Sequence, residues 1–211
     1  MKYQKISSPL VKRTSDLLQD IAQTTGRGEI TIGDFVAMLG ERSFALAILI
    51  FSLPNSLPIP GVPGFSTLTG LPILFIALQI LCGRKDIWLP RKVAAKRFQG
   101  EFLTKIIRKA LPVVIWLEKL LHPRLTIVCE SIGERFIGFL IAMMAFILAL
   151  PIAGANFLPA LSISLLALAL LENDGFFAAL SILFTLASLC FMYEVILLVV
   201  GGTVHWVSGL M

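Results

Sequence analysis

Gly40-Glu41-Arg42 opens an apolar stretch that reaches Leu57-Pro58-Ile59-Pro60-Gly61 and continues through Ser66, Thr67 and Thr69 to Leu78-Gln79. The same plan returns later in the chain without a gap. Gly133-Glu134-Arg135 opens it, Leu150-Pro151-Ile152-Ala153-Gly154 breaks it, and Ser162 and Ser164 lead on to Leu171-Glu172. Chance matches of Leu, Ile and Ala are common in apolar sequence, so the coincident Gly, Glu, Arg and Pro positions carry the argument. The stretch reads as an internal repeat of two helix–Pro/Gly break–helix units.

The solvent for these units follows from composition. Of 211 residues, 57% are hydrophobic and 15% charged, against about 25% charged in ordinary soluble domains. The mean hydropathy is +0.89. Too few charges exist to cover a soluble surface, and the apolar residues form long charge-free runs. The fold class expected is therefore an all-α integral membrane protein, multi-pass by its several apolar runs. The first 40 residues are polar, without the apolar core of a signal peptide, so the membrane segments themselves are expected to direct insertion. The net charge of +5 lies mostly between apolar runs, which points to lipid headgroups rather than nucleic acid.

The chain divides by these runs. Residues 1–39 form an amphipathic cytoplasmic arm: a first helix carries Leu10, Leu17, Leu18 and Ile21, and a second opens at Thr31 or Gly33. Residues 40–82 are membrane repeat one. Its segment Ser43–Leu57 is short for a bilayer core of about 20 residues. Pro54, Pro58, Pro60 and Pro63, with Gly61 and Gly64, then prevent a helix from continuing. That break is either an exposed turn or a re-entrant hairpin, since irregular backbone in lipid must be buried in protein or line a cavity. Residues 83–132 are a basic amphipathic linker. Phe102, Ile106, Ile107, Val113, Val114 and Leu117 fall at helical spacing there, with Lys105, Arg108, Lys109 and Lys119 between them, and Trp116 suits the headgroup level. Residues 133–175 are membrane repeat two, its break expected over Pro151–Pro159. Residues 176–211 hold a C-terminal transmembrane helix, expected to stop at Gly201-Gly202. The Lys/Arg excess puts the arm and the linker on the cytoplasmic side.

Catalytic chemistry is not signalled. His122 and His205 lack metal-site spacing, Cys82, Cys129 and Cys190 are isolated, and neither a nucleophile elbow nor a phosphate-cradling glycine loop is present. No enzyme activity, cofactor or metal is expected. The informative residues are polar ones inside apolar runs, because each costs free energy unless paired. Asn55, Ser66, Thr67, Gln79, Asn156, Ser162, Glu172 and Glu194 are the candidates for a solute site or for satisfying freed backbone groups. Glu41, Arg42, Glu134 and Arg135 are candidate ion pairs at the repeat starts, either anchored at the interface or paired between repeats. Gln79 and Glu172 hold matching positions in the two units.

The chain resembles the ExoD family of bacterial exopolysaccharide-synthesis membrane proteins. The resemblance rests on Gly40-Glu41-Arg42, on Leu53-Pro54-Asn55-Ser56-Leu57-Pro58-Ile59-Pro60-Gly61 with Ser66-Thr67, and on Gly70-Leu71-Pro72 through Ala77-Leu78-Gln79. Trp88-Leu89-Pro90, the second Gly133-Glu134-Arg135 and Leu150-Pro151 also fit. It implies an inner-membrane location and a link to exopolysaccharide production, and supplies neither a mechanism nor site residues. Two functional classes follow: a transporter or permease-like protein with a site between the two breaks, or a non-transporting accessory or scaffold protein of the exopolysaccharide machinery. The expected partners are membrane lipids, that machinery, and a second copy in a homo-oligomer. A membrane enzyme acting on lipid-linked sugars is the weakest alternative.

Overall fold

The computed structural model describes residues 13–25, 28–57, 64–120, 131–150 and 156–208. The chain is mostly helical and falls into two parts, a bundle of apolar helices and a smaller amphipathic cap.

The bundle is built from α3 (Arg42–Ser52), α4 (Phe65–Leu81), α7 (Ser131–Ala149) and α8 (Phe157–Glu172). They pack in a ring: α3 lies against α4 and α8, and α7 lies against α4 and α8. Landmarks fix the directions. Gly70, early in α4, faces Ala145 and Ala149 late in α7, while Gly138, early in α7, faces Ile80 late in α4. Both Gly-Glu-Arg starts therefore lie at one end of the bundle and both breaks lead off the other. Small residues permit the α4–α7 approach. A Cβ on Gly70 would stand 3.0 Å from the Ala149 nitrogen, and one on Gly138 would stand 2.8 Å from the Ile80 side chain. This is the close backbone packing that holds helices together where lipid offers no hydrophobic contrast. Ile48, Ile73, Ile141 and Leu166 fill the middle, each fully buried.

α9 (Gly175–Ser208) runs back along α8 and, more lightly, α7. Asn173 takes a left-handed conformation (φ 51°) to end α8, and the Asp174 carboxylate accepts from the backbone N–H groups of Phe176 and Phe177, both at 3.1 Å. Among the described residues, two helical stretches are long and apolar enough to cross a membrane, Ile132–Ala149 and Gly175–Leu198. A third arises if Ile32–Leu39 and Arg42–Ser56, bent by 118°, count as one span; α4 and α8 are apolar but shorter. Leu68, Leu71, Phe75, Phe146, Leu183 and Leu198 are exposed on the outer sides of these helices, which is what a lipid-facing surface requires.

The cap joins the arm to the linker. α1 (Thr14–Thr25) packs along α6 (Gly100–Leu120), and α2 (Ile32–Leu39) packs on the single turn α5 (Arg91–Ala94). Leu18, Ile21, Ile30, Leu39, Leu103, Ile107 and Val114 form its core. Thr31 caps α2 by accepting from the Asp34 backbone N–H at 3.1 Å, as the sequence suggests.

Four expectations need correction. The chain is not wholly helical outside its loops: β1 (Glu29–Thr31) and β2 (Arg97–Gln99) pair antiparallel with Ile30 opposite Phe98. The arm and linker are thus parts of one layer. α8 begins at Phe157, so Pro159 sits inside its first turn, where a missing N–H costs nothing. α3 ends at Ser52 and a 3-10 turn, Leu53–Ser56, carries the chain toward the break. Finally, α9 passes through Gly201 and Gly202; a glycine costs a helix about 1 kcal/mol, too little to stop it.

Candidate functional site

Polar side chains collect at the two ends of the bundle, and the ends differ. At the break end they bond to one another across the chain. The Ser52 and Ser164 hydroxyls are 2.7 Å apart, and Ser56 reaches the same Ser164 at 2.9 Å. Asn156 donates to the Ser66 hydroxyl at 2.8 Å, and Thr67 donates to the Ala149 carbonyl at 2.8 Å. Asn55 donates to Thr69 at 2.7 Å, while Thr69 donates back to the Phe65 carbonyl at 3.0 Å. These groups stitch the region around one break to the region around the other. Each hydroxyl or amide finds a protein partner, so the cluster performs the satisfying role that an apolar surrounding demands. Gly61 and Gly154, within the breaks themselves, lie outside the described residues.

At the start end the arrangement is open. A cavity of about 440 Å³ lies between cap and bundle. Glu41 and Arg42 from the first unit, Glu134 from the second, and Asn173 supply its polar wall; Leu17, Met38, Phe44 and Leu170 supply the apolar one. Glu41 and Glu134 lie in each other's electrostatic field, which Lys85 and Arg135 partly offset. The half-buried Arg42 lies in the field of Glu172, Glu118 and Asp16. Around it the cap is anchored: the Thr14 hydroxyl donates to Glu172 at 3.1 Å, and the Ser15 backbone N–H and hydroxyl both donate to Glu118 at 2.6 Å. A carboxylate on the first N–H groups of α1 is in the favourable place for its charge.

The sequence-level candidates are therefore divided. Asn55, Ser66, Thr67 and Asn156 come together at the break end. Ser162 lies in the bundle wall, where its hydroxyl donates to Ser188 of α9 at 3.0 Å. Gln79 sits at the opposite end of α4; its carbonyl accepts from the Trp88 backbone N–H at 2.6 Å and pins the chain leaving the bundle. Glu172 belongs to the start end, and Glu194 is exposed on α9. Glu41, Arg42 and Glu134 meet around the cavity, whereas the Arg135 guanidinium lies beside Gly83. Sequence reasoning missed Ser52, Ser188, Thr14, Ser15 and Glu118. Only Ser188 carried a signal, since Ser181, Thr185 and Ser188 are all buried on α9 at helical spacing. Among the described residues, no group of acids, cysteines and histidines is arranged to hold a metal.

Comparison with known proteins assigns the family. A family model described as "Exopolysaccharide synthesis, ExoD" matches residues 14–194. An uncharacterized protein of Synechocystis sp. is 34% identical over 192 residues, 90% of each chain. Protein ExoD of Rhizobium meliloti is 30% identical over 178 residues, covering 82% of this chain and 73% of its own. No solved structure matches. The residues that carry the polar clusters at both ends of the bundle, Thr14 through Ser188, all fall inside the matched span, and the chain belongs to the ExoD family of exopolysaccharide synthesis.

Proposed function

We propose that the chain is a multi-pass inner-membrane permease for a small solute used in exopolysaccharide production, loaded from the cytoplasmic side. The observation that carries this reading is the cavity at the start end, whose charged wall is drawn from both Gly-Glu-Arg motifs. A carrier needs a site open to one side and closed to the other. The interlocked hydroxyls and amides at the break end supply the closure, and the cavity supplies the opening. The pairing of α3 with α8 and of α4 with α7 is what a two-fold axis running along the bundle gives when two repeats exchange partners. Such an axis keeps both units in the same orientation, in accord with a basic arm and a basic linker on one side of the membrane.

Uptake into proteoliposomes, screened over small sugars, organic acids and inorganic cations, tests the proposal. Flux above protein-free vesicles that disappears in Glu41→Gln and Glu134→Gln supports it; absence of flux across the panel sinks it. Sidedness is checked by cysteines at positions 92 and 105, both exposed. Labelling of either from outside intact cells overturns the orientation.

A second reading has its own observation. The fully buried Ile48, Ile73, Ile141 and Leu166 fill the bundle at mid-height, which is the dry core of an accessory or scaffold protein of the exopolysaccharide machinery. That reading predicts normal secretion by the Glu134→Gln variant and loss of secretion when the cap is disrupted.

A further inference from the structure

α6 carries two apolar faces, and the cap uses one of them. Leu103, Ile107 and Val114 are buried toward α1. Turned away from them, Phe102, Ile106 and Trp116 are 61%, 48% and 62% exposed. Lys105, Arg108, Lys109 and Lys119 are exposed on the same outward arc. At 100° per residue Lys105 and Lys109 bracket Trp116 within one narrow sector. Of the two acids of the helix, Glu101 stands exposed beside Lys105 and Arg108, so four basic groups outnumber one acid on this face, and Glu118 is engaged by Ser15.

We propose that this outward face is seated on an anionic lipid leaflet, with Phe102, Ile106 and Trp116 dipping among the acyl chains and the four basic side chains meeting phosphate headgroups. Water would leave three large apolar side chains wet in a row, whereas the interface accommodates the rings at headgroup depth. Long basic side chains flanking such rings keep their charges in the headgroup layer while their stems stay in lipid. The charge selects the occupant, because a neutral leaflet offers the lysines nothing and an anionic one attracts each of them.

Position agrees with this. Glu118 holds the start of α1, and Thr14 at that start holds Glu172 at the end of α8. The last turns of α6 are thereby tied to the end of the bundle where α8 leaves the apolar layer. The proposal is independent of whether the cavity transports anything.

The test uses the full chain in lipid nanodiscs. Of the three tryptophans, Trp88 and Trp206 are replaced by Phe, leaving Trp116 as reporter. With phosphatidylglycerol present, Trp116 should be quenched by brominated acyl chains and shielded from aqueous iodide. In pure phosphatidylcholine it should become accessible to iodide. In phosphatidylglycerol discs, Lys105→Gln and Lys109→Gln should lower the shielded population about fivefold for each charge removed. Iodide access in both lipids overturns the proposal and leaves the face bare or reserved for a protein. Shielding that ignores both phosphatidylglycerol and the lysines overturns the assignment to anionic lipid. Should a lysine variant misfold, the comparison of the two lipids in the unaltered helix still decides.

Discussion

The break end and the start end of the bundle both gather polar residues from the same two units and do opposite things with them. At the break end, serines, threonines and asparagines exhaust one another: Ser164 alone meets Ser52 and Ser56, and Asn156 meets Ser66. At the start end, charged groups from the same two units stand around a cavity of about 440 Å³. Neutral polar groups in an apolar surround are stabilised by finding any partner, so they close a structure. Charges keep their solvation only where space remains, so they hold one open. Function is thereby expected at the end where polarity is left over, and stability at the end where it is used up.

Substitutions ranked by their cost in stability can break this comparison. Gly70→Leu should cost most, several kcal/mol by the overpacking scale, because its Cβ would meet the Ala149 backbone at 3.0 Å and backbone cannot step aside. Loss of the monodisperse peak in detergent is the readout, and a well-behaved variant would show that the α4–α7 approach is slack. Ser164→Val comes next, at roughly 1–2 kcal/mol for its two lost hydroxyl contacts, since Ser52 and Ser56 keep the Leu49 and Ser52 carbonyls as acceptors. The thermal midpoint should fall while solute binding at the cavity, measured below the onset of unfolding, stays as before. An unchanged midpoint would mean the hydroxyl cluster is not a clamp.

Thr14→Val tests the joint between cap and bundle, at about 1 kcal/mol for one hydrogen bond. Its effect should appear as faster amide exchange in α1 with the bundle unaffected. Glu134→Gln should be the mildest on stability, within about 0.5 kcal/mol as for surface changes away from packed features, and the most damaging to uptake. A large fall in melting temperature for Glu134→Gln would make the start end structural too, and the contrast between the ends would collapse.

The parts of this architecture that sequence reveals are the local ones. Thr31 announces α2, and Asn173-Asp174 announces the turn between α8 and α9, because capping is decided within three or four residues. The helices of the bundle follow from charge-free runs. β1 and β2 escape such a reading, since each is only three residues long and each is completed by a strand far away in the chain. Pro159 and Gly201-Gly202 mislead for one reason. Proline is harmless in a first turn, and tertiary and lipid surroundings outweigh the small cost of glycine. The site was half visible. Both Gly-Glu-Arg motifs were legible as candidates, but the choice between anchoring and convergence depends on how α3 and α7 are placed, which no local pattern encodes. Ser52 was invisible because only its meeting with Ser164 makes it more than another helix serine.

The helices are unequal in length, and that inequality acts on the bilayer. The apolar part of α9 spans Gly175–Leu198, 24 residues, or about 36 Å at the helical rise, against a hydrocarbon core of about 30 Å. Its neighbour α8 has 16 residues, about 24 Å. In the multi-pass arrangement proposed above, the longer helix tilts and the shorter one draws the leaflets together, so lipid beside α9 would be stretched and lipid beside α8 compressed. That arrangement predicts a slope in membrane thickness around the molecule's perimeter, and thin, short-chain bilayers should relieve one side at the expense of the other.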